Sequence, residues 1–363
     1  MVPQAVASPV STQETAALMR ACHEQGLAVV VRGHGSKRDL LAGGGHELVV
    51  DALAAGRGRD ADGQDAGSTL GGALATNLAG PRRVRVGATR DLVIGVRLVR
   101  ADGTVAKAGG KVVKNVAGYD LCKLLAGSWG TLAVVTEVTV RLHPVPEAGL
   151  WVRAEVGAER LPGVLAEVVR SQLVPHAVEV HAAPGAAGAV VAVLLSGTRA
   201  GATARAEALA TSLRAGGGSA VDVVDGAASE PTVEQGSSGV LPGRAADGRP
   251  TLLRTTARLS GIPELVAAAT EHGLTVTGSA GVGVLHASSP EGRPVDETAA
   301  AVGAVRATSL RLGGSTVVLD AAPAVKAAVD SWGPVPGLDL MRRVKAEFDP
   351  GRILAPGRFV GGL

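Results

Sequence analysis

The sequence predicts an α+β chain of two domains, the second an antiparallel sheet with helices along one face. Three observations carry this. At 363 residues the chain exceeds one typical domain. Between residues 150 and 319 the apolar periodicities run strand, helix, strand, strand, helix. After a Gly/Ser/Asp-rich stretch the order recurs and closes on a strand, which fits two β-α-β-β-α-β units. Before residue 145, glycine-rich loops with single polar groups alternate with Val-rich runs.

The elements follow in order. Ser11 and Glu14 read as a capping box, and Ala16, Leu18, Met19 and Cys22 give the helix that ends near Gly26. Residues 27–31 form a short apolar strand running into the glycine loop 32–44. Residues 45–66 hold one short strand candidate, 48–50, and are otherwise polar. Strands return at 93–99 and 105–108, joined by the hairpin turn Ala101, Asp102, Gly103. Residues 132–142 alternate and are rich in Val and Thr, so they form a strand, and Pro144 and Pro146 mark a boundary.

The first repeat places strands at 150–156, 176–182 and 188–195 and helices at 161–172 and 200–214, with a linker over 216–249. The second places strands at 251–257, 274–278, 282–287 and 315–319 and helices at 261–272 and 294–309. A helix, a second helix over 338–348 and the turn-rich FDPGRILAPGRF close the chain.

Composition excludes several classes. Hydrophobic residues make up 46% but aromatics only 2%, so the core is aliphatic. The 36 basic and 33 acidic residues nearly balance, and no basic block carries spaced aromatics, which argues against nucleic acid. Cys22 and Cys122 cannot hold a four-cysteine cluster. No histidine pair has metal-ligand spacing, so no metal is expected; His23, His46, His176, His181 and His272 read as surface residues. No apolar run is long enough to span a bilayer and no leader pattern opens the chain, so a cytoplasmic protein is expected, reaching the inner membrane face only through partners.

Three segments carry chemistry. Gly33, His34, Gly35, Ser36 and Lys37 follow a strand and can offer backbone N–H groups and donors to a pyrophosphate, or form a tight surface turn. Gly71 and Gly72 lead into Ala75 and Thr76, allowing close backbone approach to a ligand; Leu74 and Leu78 fit a tightly packed helix start equally well. Residues 114–120 set a cation, an amide, the phenol of Tyr119 and a carboxylate around Gly118, and residues 127–131 turn into the alternating strand. Tyr119 is the chain's single tyrosine, a ligand contact or a phenol capping a helix. No motif supplies a convincing protein nucleophile, which points to redox chemistry carried by a cofactor.

These segments resemble the vanillyl-alcohol oxidase / p-cresol methylhydroxylase (PCMH) superfamily, and more closely the FAD-binding subunits of bacterial glycolate oxidase. VVRGHGSKRD, STLGGALATNLAGPRR, TRDLVIGVRLVRADG, GGKVVKNVAGYDLCKLLAGSWGTLAVVTEVTVRLHP and FDPGRILAPGRF carry the likeness. The resemblance implies a PCMH-type FAD-binding domain over 1–147 with a shortened smaller subdomain, a cap domain over 148–322, and a segment 323–363 returning to the FAD domain. It implies FAD contacts at Gly33, His34, Gly35, Ser36, Lys37, Gly71, Gly72, Ala75, Thr76, Gly118, Tyr119, Gly127, Gly130, Thr131 and Val135. Ser36 stands where flavin-attaching members carry histidine, so the FAD is expected to be non-covalent.

The family's cap motif G-H-A-G-D-G-N-x-H corresponds to residues 278–286, where Ser279, Val282 and Val284 replace the first histidine, the aspartate and the asparagine, leaving His286. The resemblance therefore implies a glycolate oxidase subunit that is not active alone and partners a catalytic flavin subunit and an iron–sulfur subunit in oxidising a small 2-hydroxy acid. Its catalytic residues are left unassigned. Relatives place more chain before the second glycine segment than residues 45–66 supply, which implies a reduced subdomain or impaired FAD binding. The alternatives are a non-catalytic assembly subunit and a stand-alone FAD-dependent oxidoreductase.

Overall fold

The computed structural model describes residues 5, 7–31, 70–112, 118–144, 146–226 and 250–363. The chain opens with α1 (Thr12–Glu24), capped at Ser11, whose hydroxyl accepts from Glu14 N at 3.1 Å. The Glu14 carboxylate reaches back to Val10 N, one residue beyond the cap. Ala16 and Met19 bury one face of α1 against Val99, Ala101, Ile353 and Leu354. The strand expected at 27–31 is reduced to one parallel bridge, Val29 to Leu354, because its pairing partner is a turn-rich tail rather than a strand.

Three short helices follow: α2 (Leu70–Thr76), α3 (Arg83–Val86) and α4 (Thr89–Leu92). A three-stranded antiparallel sheet comes next, with β1 (Val93–Val99) between β2 (Val105–Gly109) and β3 (Val134–Val140). The turn joining β1 to β2 is closed by Gly103 N donating to Arg100 O and Thr104 N donating to Asp102 Oδ1. Helix α5 (Leu121–Leu125) packs on this sheet, with Cys122 and Leu125 buried against Val96, Leu98 and Leu74.

The two repeats are present. The first comprises β4 (Ala148–Gly157), α6 (Leu161–Arg170), β5 (Ala177–Ala182), β6 (Gly188–Gly197), α7 (Arg199–Ala215) and β7 (Ser219–Asp225). The second comprises β8 (Leu252–Thr256), α8 (Ile262–Glu271), β9 (Thr275–Ser279), β10 (Val284–Ser288), α9 (Val295–Arg311) and β11 (Thr316–Asp320). They share one eight-stranded antiparallel sheet, ordered β11-β8-β10-β9-β5-β6-β4-β7. Strand β7 occupies residues expected as linker. It is an edge strand with a mostly exposed face, so its apolar signal is weak.

Alternate strand residues such as Val152, Val180, Val193, Val276 and Leu285 form one core with Leu165, Leu209, Leu265 and Val305 from the four helices. All four helices therefore lie on one face, as the period of two in each strand requires. The other face carries Arg254, His286, Thr277, His181 and Glu179 at the alternate positions. The chain ends in α10 (Pro323–Ala328), α11 (Leu338–Phe348) and the tail.

Candidate functional site

The second and third glycine segments form one body. Gly127 N donates to Leu74 O at 2.9 Å and Trp129 N to Ala75 O at 2.8 Å, so the loop 127–131 is bonded onto the carbonyls of α2. Trp129 takes φ +56°, uncommon for a non-glycine residue. Its buried indole meets Trp332 edge-on at 6.1 Å, and Trp332 meets Phe359 at 4.9 Å. Gly130 takes φ +74°. Among the described residues no atom lies within 4 Å of where a Cβ on Gly71 or Gly130 would stand, so at these two positions the joined segments present a wall of open backbone.

The expected contact residues distribute unevenly over this wall. Gly71, Gly72, Ala75, Thr76, Gly127, Gly130 and Thr131 belong to the joined body. Two hydroxyls are occupied internally: Thr76 Oγ1 donates to Gly72 O at 2.9 Å and Thr131 Oγ1 to Ser128 O at 2.7 Å. Val135 lies on β3 and packs into the three-stranded sheet's core. Gly118 is exposed and Tyr119 is 92% exposed. The phenol does not cap α5; the Asp120 carboxylate does, accepting from Lys123 N at 3.2 Å. Gly33, His34, Gly35, Ser36 and Lys37 lie outside the described residues.

From α2 the chain passes through Asn77 and residues 78–82 to Arg83, which it delivers to the polar face of the eight-stranded sheet. A cavity of about 30 Å³ there is lined by Gly80, Arg83, Glu179, Thr277, Ser279 and His286, among others. Register explains the convergence: His286 pairs with both Arg254 and Thr277, Thr277 with His181, and Ser279 with Glu179. Gly281 allows the close approach of this face to α3, because a Cβ there would stand 2.9 Å from Val84 Cγ2.

Two guanidinium groups and one carboxylate, Glu179, set the electrostatics. Burial lowers the Arg83 pKa, opposed by the carboxylates of Asp91 and Glu179. Burial and then Arg83 lower that of Arg254, and among the described residues no carboxylate pairs with it. His286 is pushed down to about 4 by burial, then by Arg254 and Arg83, so it is neutral at physiological pH. His286 Nε2 and Ser279 Oγ are shielded from solvent and have no hydrogen-bond partner among the described residues. Such atoms suit a polar ligand.

The histidines depart from expectation. His272 is exposed, but His181 is half-buried on the polar face and His176 half-buried just before β5, both with shielded Nδ1 atoms. Burial, then Arg85, Arg205 and Arg82, pushes His176 down to about 4, and burial lowers His181. Each lies in or beside a strand that another element covers, which spacing along the sequence does not reveal. Sequence reasoning also missed Arg83, Arg254 and Glu179. Arg254 and Glu179 had a signal, as polar residues at alternate positions of apolar strands; Arg83, on the short helix α3, had none.

Two family models match the chain: an FAD binding domain over residues 45–109 and the C-terminal domain of FAD linked oxidases over residues 319–359. Of the first, residues 45–69 lie outside the described residues and the remainder runs from α2 to β2. The structure superposes on the VAO-type flavoprotein MtVAO615 from Myceliophthora thermophila C1 with a TM-score of 0.60 at 16% identity, covering 96% of this chain and 77% of that one. The chain carries a PCMH/VAO-type FAD-linked oxidoreductase fold.

Among curated relatives it is 43% identical to the glycolate oxidase subunit GlcE of Escherichia coli (strain K12) over 108 residues, 30% of each chain. It is 38% identical to the glycolate oxidase subunit GlcD of Bacillus subtilis (strain 168) over 117 residues, 31% of this chain and 24% of that one. The matched stretches thus span less than a third of either relative. At Gly71 and Gly130 the backbone is open enough for a cofactor to approach closely, which fits FAD.

Proposed function

We propose that this chain is an FAD-binding subunit of a glycolate oxidase or dehydrogenase type complex acting on a small 2-hydroxy acid. The observation that carries the reading is a cluster of cations beside a neutral imidazole: Arg83 and His286 line one cavity, and the half-buried Arg254, register partner of His286, has no carboxylate partner among the described residues. A substrate carboxylate would match Arg254, while Glu179 in the same lining already offsets part of the charge of Arg83. The likeness to GlcE supports the substrate class and the subunit role.

Gly71, Gly72, Ala75 and Thr76 on α2, with Gly127, Gly130 and Thr131, would hold FAD, non-covalently and together with residues 33–37. FAD, when bound, would supply the redox chemistry, as acceptor of a hydride equivalent from the hydroxyl-bearing carbon. Arg83 and Arg254 orient the carboxylate. His286, held neutral, offers Nε2 to the substrate hydroxyl, and in the tautomer that leaves Nε2 unprotonated it can take that proton. A catalytic flavin subunit and an iron–sulfur subunit are the partners this reading assigns.

A second reading, a non-catalytic assembly subunit, is favoured by the size of the cavity, since about 30 Å³ holds little more than a water or two. One experiment separates them. The chain is purified alone, its visible spectrum recorded, and glycolate added anaerobically with and without partner subunits. Flavin bands near stoichiometry, bleached by glycolate in wild type but not in Arg254→Met, are expected. A colourless chain that still assembles its partners would establish the second reading. Turnover without any partner would point instead to a stand-alone oxidoreductase.

A further inference from the structure

Lys345 lies on α11, far along the chain from both glycine segments, and its side chain is only 3% exposed. An ammonium group has three donors, and all three are used. Nζ donates to Asp349 Oδ2 at 2.6 Å, to Thr131 O at 2.7 Å and to Leu354 O at 2.9 Å. Asp349 is fully buried and matched in turn: Oδ1 accepts from Ile353 N at 3.0 Å and Oδ2 from Leu354 N at 2.8 Å. The cluster has no spare donor.

Its reach is what gives it a role. Thr131 ends the loop that carries Gly130, one of the two open positions of the backbone wall. The neighbours of Leu354 clasp the segment leading to the first glycine loop: Val29 N donates to Ile353 O at 2.7 Å and Ala355 N to Val29 O at 2.8 Å. One buried cation therefore fixes a backbone carbonyl of one cofactor-facing segment and, through the tail, the strand residue three positions before Arg32. The same tail grips the loop a second time, where Phe359 and Trp332 stack toward Trp129.

We propose that Lys345 is a positioning residue for FAD: with Asp349 it holds the loop 127–131 at the distance from the Val29 segment that the cofactor requires. This rests on the FAD-binding reading above. Neither Lys345 nor Asp349 touches the cofactor. They act by sparing the loop the cost of ordering when FAD arrives.

The test is an FAD titration of the full chain by flavin fluorescence, with amide hydrogen exchange over residues 127–131 as a second readout. The variants are Lys345→Met, Lys345→Arg and, as a destabilised control remote from the wall, Leu265→Ala in the helix-face core of the large sheet. All are titrated well below their own Tm. Lys345→Met is expected to weaken FAD binding about tenfold or more and to raise exchange at Trp129 and Thr131, while Leu265→Ala stays within about twofold of wild type. Lys345→Arg, which keeps the charge but cannot place one atom among three acceptors, is expected to fall between.

Equal FAD affinity in Lys345→Met and wild type would overturn the proposal. If Lys345→Met does not fold, Lys345→Arg decides: unchanged affinity with unchanged exchange in the loop overturns it. A wild-type chain that binds no FAD at all removes the functional reading first, and this proposal with it, a result distinct from binding that is insensitive to Lys345.

Discussion

Lys345 is a buried cation and Arg254 a half-buried one, and they are matched in opposite ways. Every proton of the Lys345 ammonium meets an oxygen, one of them from a carboxylate that is itself fully bonded. Arg254 faces Arg83 and His286 and has no carboxylate partner among the described residues. A charge removed from water costs several kcal/mol unless it is matched. A matched cation can be part of the frame. An unmatched one is tolerated where something else is gained, and a ligand's negative charge is the natural gain.

The largest expected effect would break the frame side of this contrast. Lys345→Met leaves Asp349 buried without its counter-ion and should destabilise the chain by about 3–5 kcal/mol in chemical denaturation. A loss below about 1 kcal/mol would mean the pair is no better matched than a surface one. Next, Gly281→Val forces side-chain atoms into the contact with Val84 and should cost about 1–3 kcal/mol. It should also separate α3 from the sheet, so hydrogen exchange is expected to rise in residues 83–86; unchanged exchange there would place the contact elsewhere.

The third prediction concerns pH. His286 and His176 titrate near 4 in the folded chain, both chiefly because of burial, against about 6.5 when unfolded. Between those values the unfolded chain binds more protons, so stability rises with pH across that window and levels off above it. Each histidine should contribute a slope of up to about 1.4 kcal/mol per pH unit. Denaturation midpoints from pH 4 to pH 7 measure the slope, and His286→Leu should reduce it; an unchanged slope would mean His286 is not desolvated. The smallest effect sharpens the ligand side. Arg254→Met removes an unmatched half-buried charge and should leave stability unchanged or raise it by about 0.5–2 kcal/mol, while abolishing response to the hydroxy acid. A large loss of stability would show that Arg254 is matched after all.

The architecture was largely legible because it rests on local periodicity. The two repeats read out strand by strand, and α11 was found at Leu338–Phe348. What was lost had weak local signal: β7, an edge strand reading SAVDVVD after three consecutive glycines, and the short helices α3 and α4, whereas α2 stands where a helix start was one of the open readings. The site divided along the same line. Gly71, Gly72, Gly127 and Gly130 stood out in the sequence as proposed contacts, because glycine marks backbone open to close approach. Arg254 and Glu179 did not, because they become site residues only through pairing between strands distant in sequence, and Arg83 only through the packing of α3 against that sheet. Lys345 was silent for a similar reason: its acceptors are backbone carbonyls, which leave no trace in residue type.

The large sheet is sewn together along one seam, where β5 of the first repeat pairs with β9 of the second. Glu179 stands on one side of that seam and Ser279, His286 and Arg254 on the other. Two polypeptides made by cutting the gene between the repeats would each carry an incomplete half of the cavity. Recovery of ligand response on mixing them would then be a complementation signal, reporting that the seam has closed in register.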